Sequence, residues 1–260
     1  MITGLVSNCW NVQLQSGRSL QSLIQAACDD GLCDIELRQG SLGEYENEQF
    51  QPDVNQLALL ASAFPQVRLN LAIDVPFLGV FRSADQRMFD TAVLAARQLS
   101  TQCPHLRLVD LKTDFRFASD RACEQLQKLA LSAAEAGVLL SIEHSRQAWS
   151  LFCEVSAQVP DVKLCLDPCN LAMLQPDLDL LGAVRSLPMD RVSMLHIKQC
   201  VSHADSIRVL SDLSDGLVPW PEVLQVMRDS GYTGPVLLET APAAGIDVLL
   251  RDARRVVAGW

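Results

Sequence analysis

Eight short apolar runs, spread over the whole chain and separated by longer stretches of helical periodicity, constrain this sequence most. They fall at about 2–8, 32–37, 67–73, 106–111, 138–142, 162–166, 191–197 and 235–238. Runs this short read as buried strands. The stretches between them carry helix signals. "SLQSLIQAACDDG" (19–31) has apolar residues three and four apart and stops at Gly31. "SADQRMFDTAVLAARQLS" (83–100) opens on a Ser N-cap candidate. "SDRACEQLQKLALSAAEAG" (119–137) closes on Gly137, and "PWPEVLQVMRDSG" (219–231) has early prolines and a final Gly. These are helix start and stop signals. "IDVLLRDARRVVAGW" (246–260) predicts a closing helix.

Strands alternating with helices eight times predict a (β/α)8 TIM barrel, one domain over residues 1–260. A doubly wound open sheet is the competing arrangement. No Gly-x-Gly-x-x-Gly follows a predicted strand, so a dinucleotide-binding sheet loses support. No Ser/Gly-rich linker or shift in composition divides the chain.

Composition narrows the function classes. With 49% hydrophobic residues among 260, the chain can fill a large core. No apolar stretch approaches the ~18 residues of a membrane span, and "MITGLVSNCW" has no basic leader, so neither membrane nor secretion is expected. A net charge of −10 argues against a nucleic-acid partner, because phosphate binding needs clustered Lys and Arg. Nine cysteines, an odd number with no Cys-x-x-Cys pair, read as reduced, core-filling thiols in a cytoplasmic protein. Cys28, Cys123, Cys153 and Cys165 fall inside predicted elements. Cys165 and Cys169, flanking Asp167, leave a zinc site as the minor alternative.

In such a barrel the strand C-termini line one mouth, where chemistry sits. The strand ends bring Glu36, Asp110 with Lys112, Glu143, Asp167, His196 with Lys198, and Glu239. Alternation puts Asp167 on one face with Cys165 and Lys163, and His196 with Met194 and Lys198. Glu143, Asp167, His196 and Glu239 make a three-carboxylate, one-imidazole shell suited to one divalent ion: Mn, Mg, Co or Zn. Three buried carboxylates without a cation would repel one another. Polar strand ends that are simply solvated are the alternative.

"HIKQ" (196–199), "SDGLVPWPEVLQVMRDSGYTGPVLLE" (214–239), "LSIEHS", "LCLDPCNL" and "CDIELR" resemble motifs of the xylose-isomerase-like superfamily of sugar isomerases and epimerases. The resemblance covers most of the chain and is strongest in its second half. It implies the same ligand set, Glu143, Asp167, His196 and Glu239. It further implies Glu143 and Glu239 as the acid/base pair of a proton transfer next to a carbonyl, passing through an enediolate. Three positions depart from the pattern. Asn170 stands where many relatives place a His, Gln199 where they place an Asp, and Ser214 where they place a Gly. Asn170 can hydrogen-bond a hydroxyl but cannot act as a base near neutral pH.

The expected activity is therefore that of a metal-dependent isomerase or epimerase acting on a small sugar or sugar phosphate. A dehydratase or lyase on a sugar-like acid, and a non-catalytic sugar-binding homologue, are the alternatives. Trp10, Glu36, Asn170, Lys198 and Arg208 are the expected substrate contacts. Trp10 would stack on an apolar sugar face or plug the barrel. Lys198 and Arg208 would meet an oxyanion or phosphate, unless Arg208 is a solvated loop residue. Oligomeric state stays open, with a homo-oligomer allowed.

Overall fold

The computed structural model describes residues 3–203, 206–213, 215–242, 247, 250–252 and 255. Among the described residues ten strands form: β1 Thr3–Val6, β2 Asp34–Arg38, β3 Arg68–Asp74, β4 His105–Val109, β5 Leu139–Glu143, β6 Lys163–Leu166, β7 Val192–Ile197, β8 Cys200–His203, β9 Ser206–Val209 and β10 Val236–Leu238. Eight of them close into a barrel in the order β1-β10-β7-β6-β5-β4-β3-β2. Each of the eight expected apolar runs contributes one barrel strand. β8 and β9 form a separate antiparallel hairpin, with Val201 opposite Arg208, that the sequence reading did not anticipate.

Nine helices are described: α1 Asn11–Gln15, α2 Leu20–Asp29, α3 Val54–Ala63, α4 Ser83–Leu99, α5 Ser119–Glu135, α6 Trp149–Gln158, α7 Pro168–Leu174, α8 Leu180–Arg185 and α9 Trp220–Asp229. The stop signals hold: Gly31, Gly137 and Gly231 follow α2, α5 and α9 with φ of 85°, 72° and 77°, a conformation that glycine adopts without strain. Ser83 is the first helical residue of α4 rather than its cap, which is Arg82. The expected closing helix over 246–260 lies outside the described residues except at 247, 250–252 and 255, and Ser214 lies outside them as well.

The chain groups into two compact units, residues 1–36 with 166–260, and residues 37–165. In the first, β1 lies between β10 and β2 in parallel register, with Leu5 opposite Leu238 and Val6 opposite Glu36. Gly4 permits this approach. A Cβ there would meet the Asp34 carbonyl oxygen at 1.6 Å, so no larger residue fits. In the second, β4 pairs with β5 and β5 with β6, which sets Glu143 opposite both Val109 and Cys165. Its strands carry buried polar groups among the apolar ones. His105 Nε2 lies 2.8 Å from Ser141 Oγ, and Arg107, with no exposed surface, pairs with Glu143.

His144, directly after β5, is buried edge-on against Trp149 and Phe152, and its Nε2 lies 2.7 Å from the Gln147 carbonyl oxygen. Burial pushes its pKa from 6.5 down to about 4. The unfolded chain therefore takes up a proton at this residue between about pH 6.5 and 4 while the folded chain does not, so stability falls as pH drops through that window. The loss amounts to about 3 kcal/mol. His144→Gln should flatten this part of the stability–pH curve in denaturant melts. An unchanged slope would show that His144 contributes nothing to acid sensitivity.

Candidate active site

Asp167 follows β6 and opens α7. Its Oδ1 accepts from the backbone N–H groups of Cys169 at 2.9 Å and Asn170 at 3.1 Å, capping the helix. Its Oδ2 lies 2.6 Å from Lys198 Nζ. One carboxylate thus has one oxygen committed to the backbone and one turned to the site. Glu239, just after β10, is held by its backbone N–H to Ile197 O at 2.9 Å. Its Oε2 accepts from Lys198 Nζ at 2.8 Å and its Oε1 from Asn8 Nδ2 at 3.3 Å.

His196 in β7 stands between two carboxylates. Nδ1 is 3.3 Å from Glu239 Oε2, and Nε2 is 3.5 Å from Glu36 Oε1. Asp167, His196 and Glu239 each offer a donor atom, and these atoms lie within 4.8 Å of one another. Glu36, Asp167, His196, Lys198 and Glu239 are all at most 8% exposed. With His196 neutral, three carboxylates and one ammonium leave a buried net charge of −2.

Glu143 ends β5 in the second unit, is buried, and is fixed by the Arg107 guanidinium. Arg107 was missed in the sequence. Its signal was an Arg inside the apolar run "LRLV", two residues before the strand ends.

The remaining candidates fall differently. Glu36 and Lys198, expected as substrate contacts, are already engaged with His196 and with the two carboxylates. Trp10, in the 3-10 turn after β1, is fully buried, and its Nε1 has no hydrogen-bond partner among the described residues. Asn170 is half-buried in the first turn of α7. Arg208 is exposed on β9. Asp110 organises a loop: it accepts from the N–H groups of Leu78, Lys112 and Thr113 and from Thr113 Oγ1. Lys112 is exposed.

Gln199, where the pattern led us to expect Asp, is a loop staple. Its Oε1 accepts from the N–H groups of Cys200 at 2.9 Å and Val218 at 3.0 Å, and its Nε2 donates to Val218 O at 3.0 Å. The thiols around the cluster belong to the packing. Burial pushes Cys9, packed on the carbonyls of Leu238 and Thr240, up to about 12. The Cys169 thiol donates a hydrogen bond to the Cys200 sulfur, which raises the pKa of the first and lowers that of the second. All nine cysteines are free.

The profile of the family described as xylose isomerase-like TIM barrel matches residues 79–255. The chain belongs to this family. Among solved structures, the family fold recurs in a xylose isomerase-like TIM barrel/4-hydroxyphenylpyruvate dioxygenase fusion protein, with TM-score 0.74 and 16% identity over 100% of this chain and 42% of the other. It recurs in the IOLI protein with a bound zinc atom, at TM-score 0.75 and 14% identity over 99% and 97%. D-psicose 3-epimerase from Clostridium cellulolyticum H10, solved with D-tagatose, aligns at TM-score 0.65 and 18% identity over 98% and 92%. At these identities the likeness is one of fold. No curated protein matches the sequence. Among the described residues, no helix is long and apolar enough to cross a membrane.

The xylose isomerase-like barrel here sets one ammonium between two buried carboxylates, and its removal leaves them uncompensated. Lys198→Met is expected to cost about 3–5 kcal/mol of metal-free stability. Denaturant melts in the presence of a chelator measure this. A variant as stable as the parent would mean that the ammonium does not hold the cluster together.

Proposed function

We propose that the chain is a divalent-metal-dependent isomerase or epimerase of a small sugar or sugar phosphate. The observation that carries this reading is the convergence of Asp167, His196 and Glu239 within 4.8 Å, inside a cluster whose carboxylates outnumber its ammonium by two. One divalent cation matches that surplus, and carboxylate oxygens with one imidazole nitrogen suit Mn, Mg, Co or Zn. Glu143 is the fourth ligand in this proposal. It lies opposite Cys165 in the β5–β6 ladder, two residues ahead of Asp167 in sequence. That relatives by fold were solved with zinc and with a ketohexose agrees with the reading.

A bound divalent ion would supply Lewis-acid stabilisation to the substrate oxygen that gains charge when a proton leaves the neighbouring carbon. The residues do the rest. Glu239 Oε2 takes or returns a proton at the carbon next to the carbonyl, and Glu143 does so as its counterpart. Asn8 and Lys198 hold the Glu239 carboxylate, and Arg107 holds that of Glu143. Glu36, against His196 Nε2, turns Nδ1 toward Glu239 and the proposed ion. In this reading Trp10 walls the site and Asn170 bonds a substrate hydroxyl.

The test is metal analysis followed by solvent exchange. Incubated in D2O with Mn, Mg, Co or Zn, the protein should wash deuterium into the carbon next to the carbonyl of its ketose substrate. Loss of water from a sugar acid would instead make it a dehydratase, and binding without either would make it a non-catalytic homologue. Glu239→Gln separates the two roles of that residue. Turnover at saturating metal should stay about 10²–10⁴-fold below the parent, and full recovery would reduce Glu239 to a ligand only. Glu36→Gln should weaken metal affinity about 10–100-fold, read by titration calorimetry. An unchanged affinity would mean that Glu36 does not orient His196.

A further inference from the structure

A cavity of about 520 Å3 lies wholly within the unit of residues 37–165, on the C-terminal side of β3 and β4. Its walls come from the loop between β3 and α4 and the loop between β4 and α5. In a chain of net charge −10, four cations line it: Arg82, Lys112, Arg116 and Arg121. Two carboxylates share the lining, Asp85 and Asp114. Asp85 is turned to the backbone, its Oδ2 accepting from Arg82 N at 2.8 Å. Among the described residues, Arg82, Arg116 and Arg121 form no ion pair; Lys112 lies 4.0 Å from Asp74.

The loops that carry these cations are fixed to each other. Buried Asp110 accepts Leu78 N–H at 2.9 Å from the first loop, and Lys112 N–H at 3.1 Å, Thr113 N–H at 2.8 Å and Thr113 Oγ1–H at 2.6 Å from the second. Gly79 packs so closely on Thr113 that a Cβ would meet Oγ1 at 2.3 Å. The cavity is thus bounded by preorganised backbone. One of its wall residues, Ala118, is the N-cap of the 17-residue α5 and supplies no side-chain bond to the first-turn N–H groups, which leaves the positive end of the helix on the cavity. Pro76, Leu78, Val80 and Phe117 add apolar wall.

We propose that this cavity binds the oxyanion of a small organic anion, a phosphate monoester or a carboxylate, with the carbon skeleton against Leu78, Val80 and Phe117. Arginine is the residue suited to such groups, because its planar fork of N–H donors matches phosphate and carboxylate oxygens. A volume of several hundred Å3 is that of a small-molecule site. The inference stands on this cavity alone and holds whether or not the chain binds a metal.

The test is a titration of the full chain with inorganic phosphate at low ionic strength, followed by 1H–15N NMR. Saturable shifts confined to the amides of residues 77–82 and 111–121 are expected. Arg116→Gln/Arg121→Gln should bind phosphate at least about tenfold more weakly, each tenfold corresponding to about 1.4 kcal/mol. Lys128→Gln, which removes one exposed charge of α5 away from the cavity, should bind like the parent. If the double variant does not fold, Arg116→Gln alone carries the test, with a smaller loss in the same direction. Competition by a hexose phosphate or by a hexonic acid identifies the source of the oxyanion, and a neutral hexose should not compete. Absence of saturable shifts in these loops, or an equal loss in Lys128→Gln, overturns the proposal.

Discussion

The burial of three carboxylates beside one ammonium is the constraint on which the site depends. Glu36, Asp167 and Glu239 are almost wholly withdrawn from water, and Lys198 bridges the last two at 2.6 and 2.8 Å. Charges in such a place are tolerated only when paired and hydrogen-bonded. The cluster meets that condition in part through the backbone: the Asp167 Oδ1 atom caps α7 and the Glu239 N–H is tied to β7. With His196 neutral, what the backbone and Lys198 do not neutralise is a surplus of two negative charges, and it is this surplus that the divalent cation of the function proposed above would offset.

The same economy of groups recurs in the loops. Asp110 and Gln199 are buried polar residues at strand ends that look like chemistry in the sequence, yet each uses its hydrogen-bonding capacity to join backbone segments. Gln199 serves this purpose as well as an Asp would on the acceptor side, and it adds a donor to Val218 O. Its departure from the family pattern therefore has a structural reason, and the neighbouring ligand candidates stay in place. Arg107 is the converse case, a charged residue inside an apolar strand run that turns out to hold Glu143.

Much of the barrel was legible from residue order. Each apolar run became a barrel strand and the glycine stops ended the helices, because burial and backbone conformation act over a few neighbouring residues. The site was legible as a set of strand ends. Asp167, His196 and Glu239 stand at or just after the ends of their strands, and the structure brings one donor atom of each within 4.8 Å of the others. The β8–β9 hairpin was not foreseen: its stretch, Cys200–Val209, is short and mixed in polarity, and antiparallel pairing of this kind depends on register rather than on a run of apolar residues.

The sequence by itself determined the strand–helix alternation, the residue types at the strand ends and the membership of the xylose isomerase-like family. Only the tertiary structure decided which of those residues face one another. Glu36 and His196 are separated by 160 positions in sequence, and nothing local in either segment states that Oε1 of one lies 3.5 Å from Nε2 of the other. Lys198 likewise reads as a solvated or substrate-binding cation until Asp167 and Glu239, from two other elements, are placed against it. Burial and periodicity are properties of a segment, whereas charge pairing is a property of the distances that packing creates between segments.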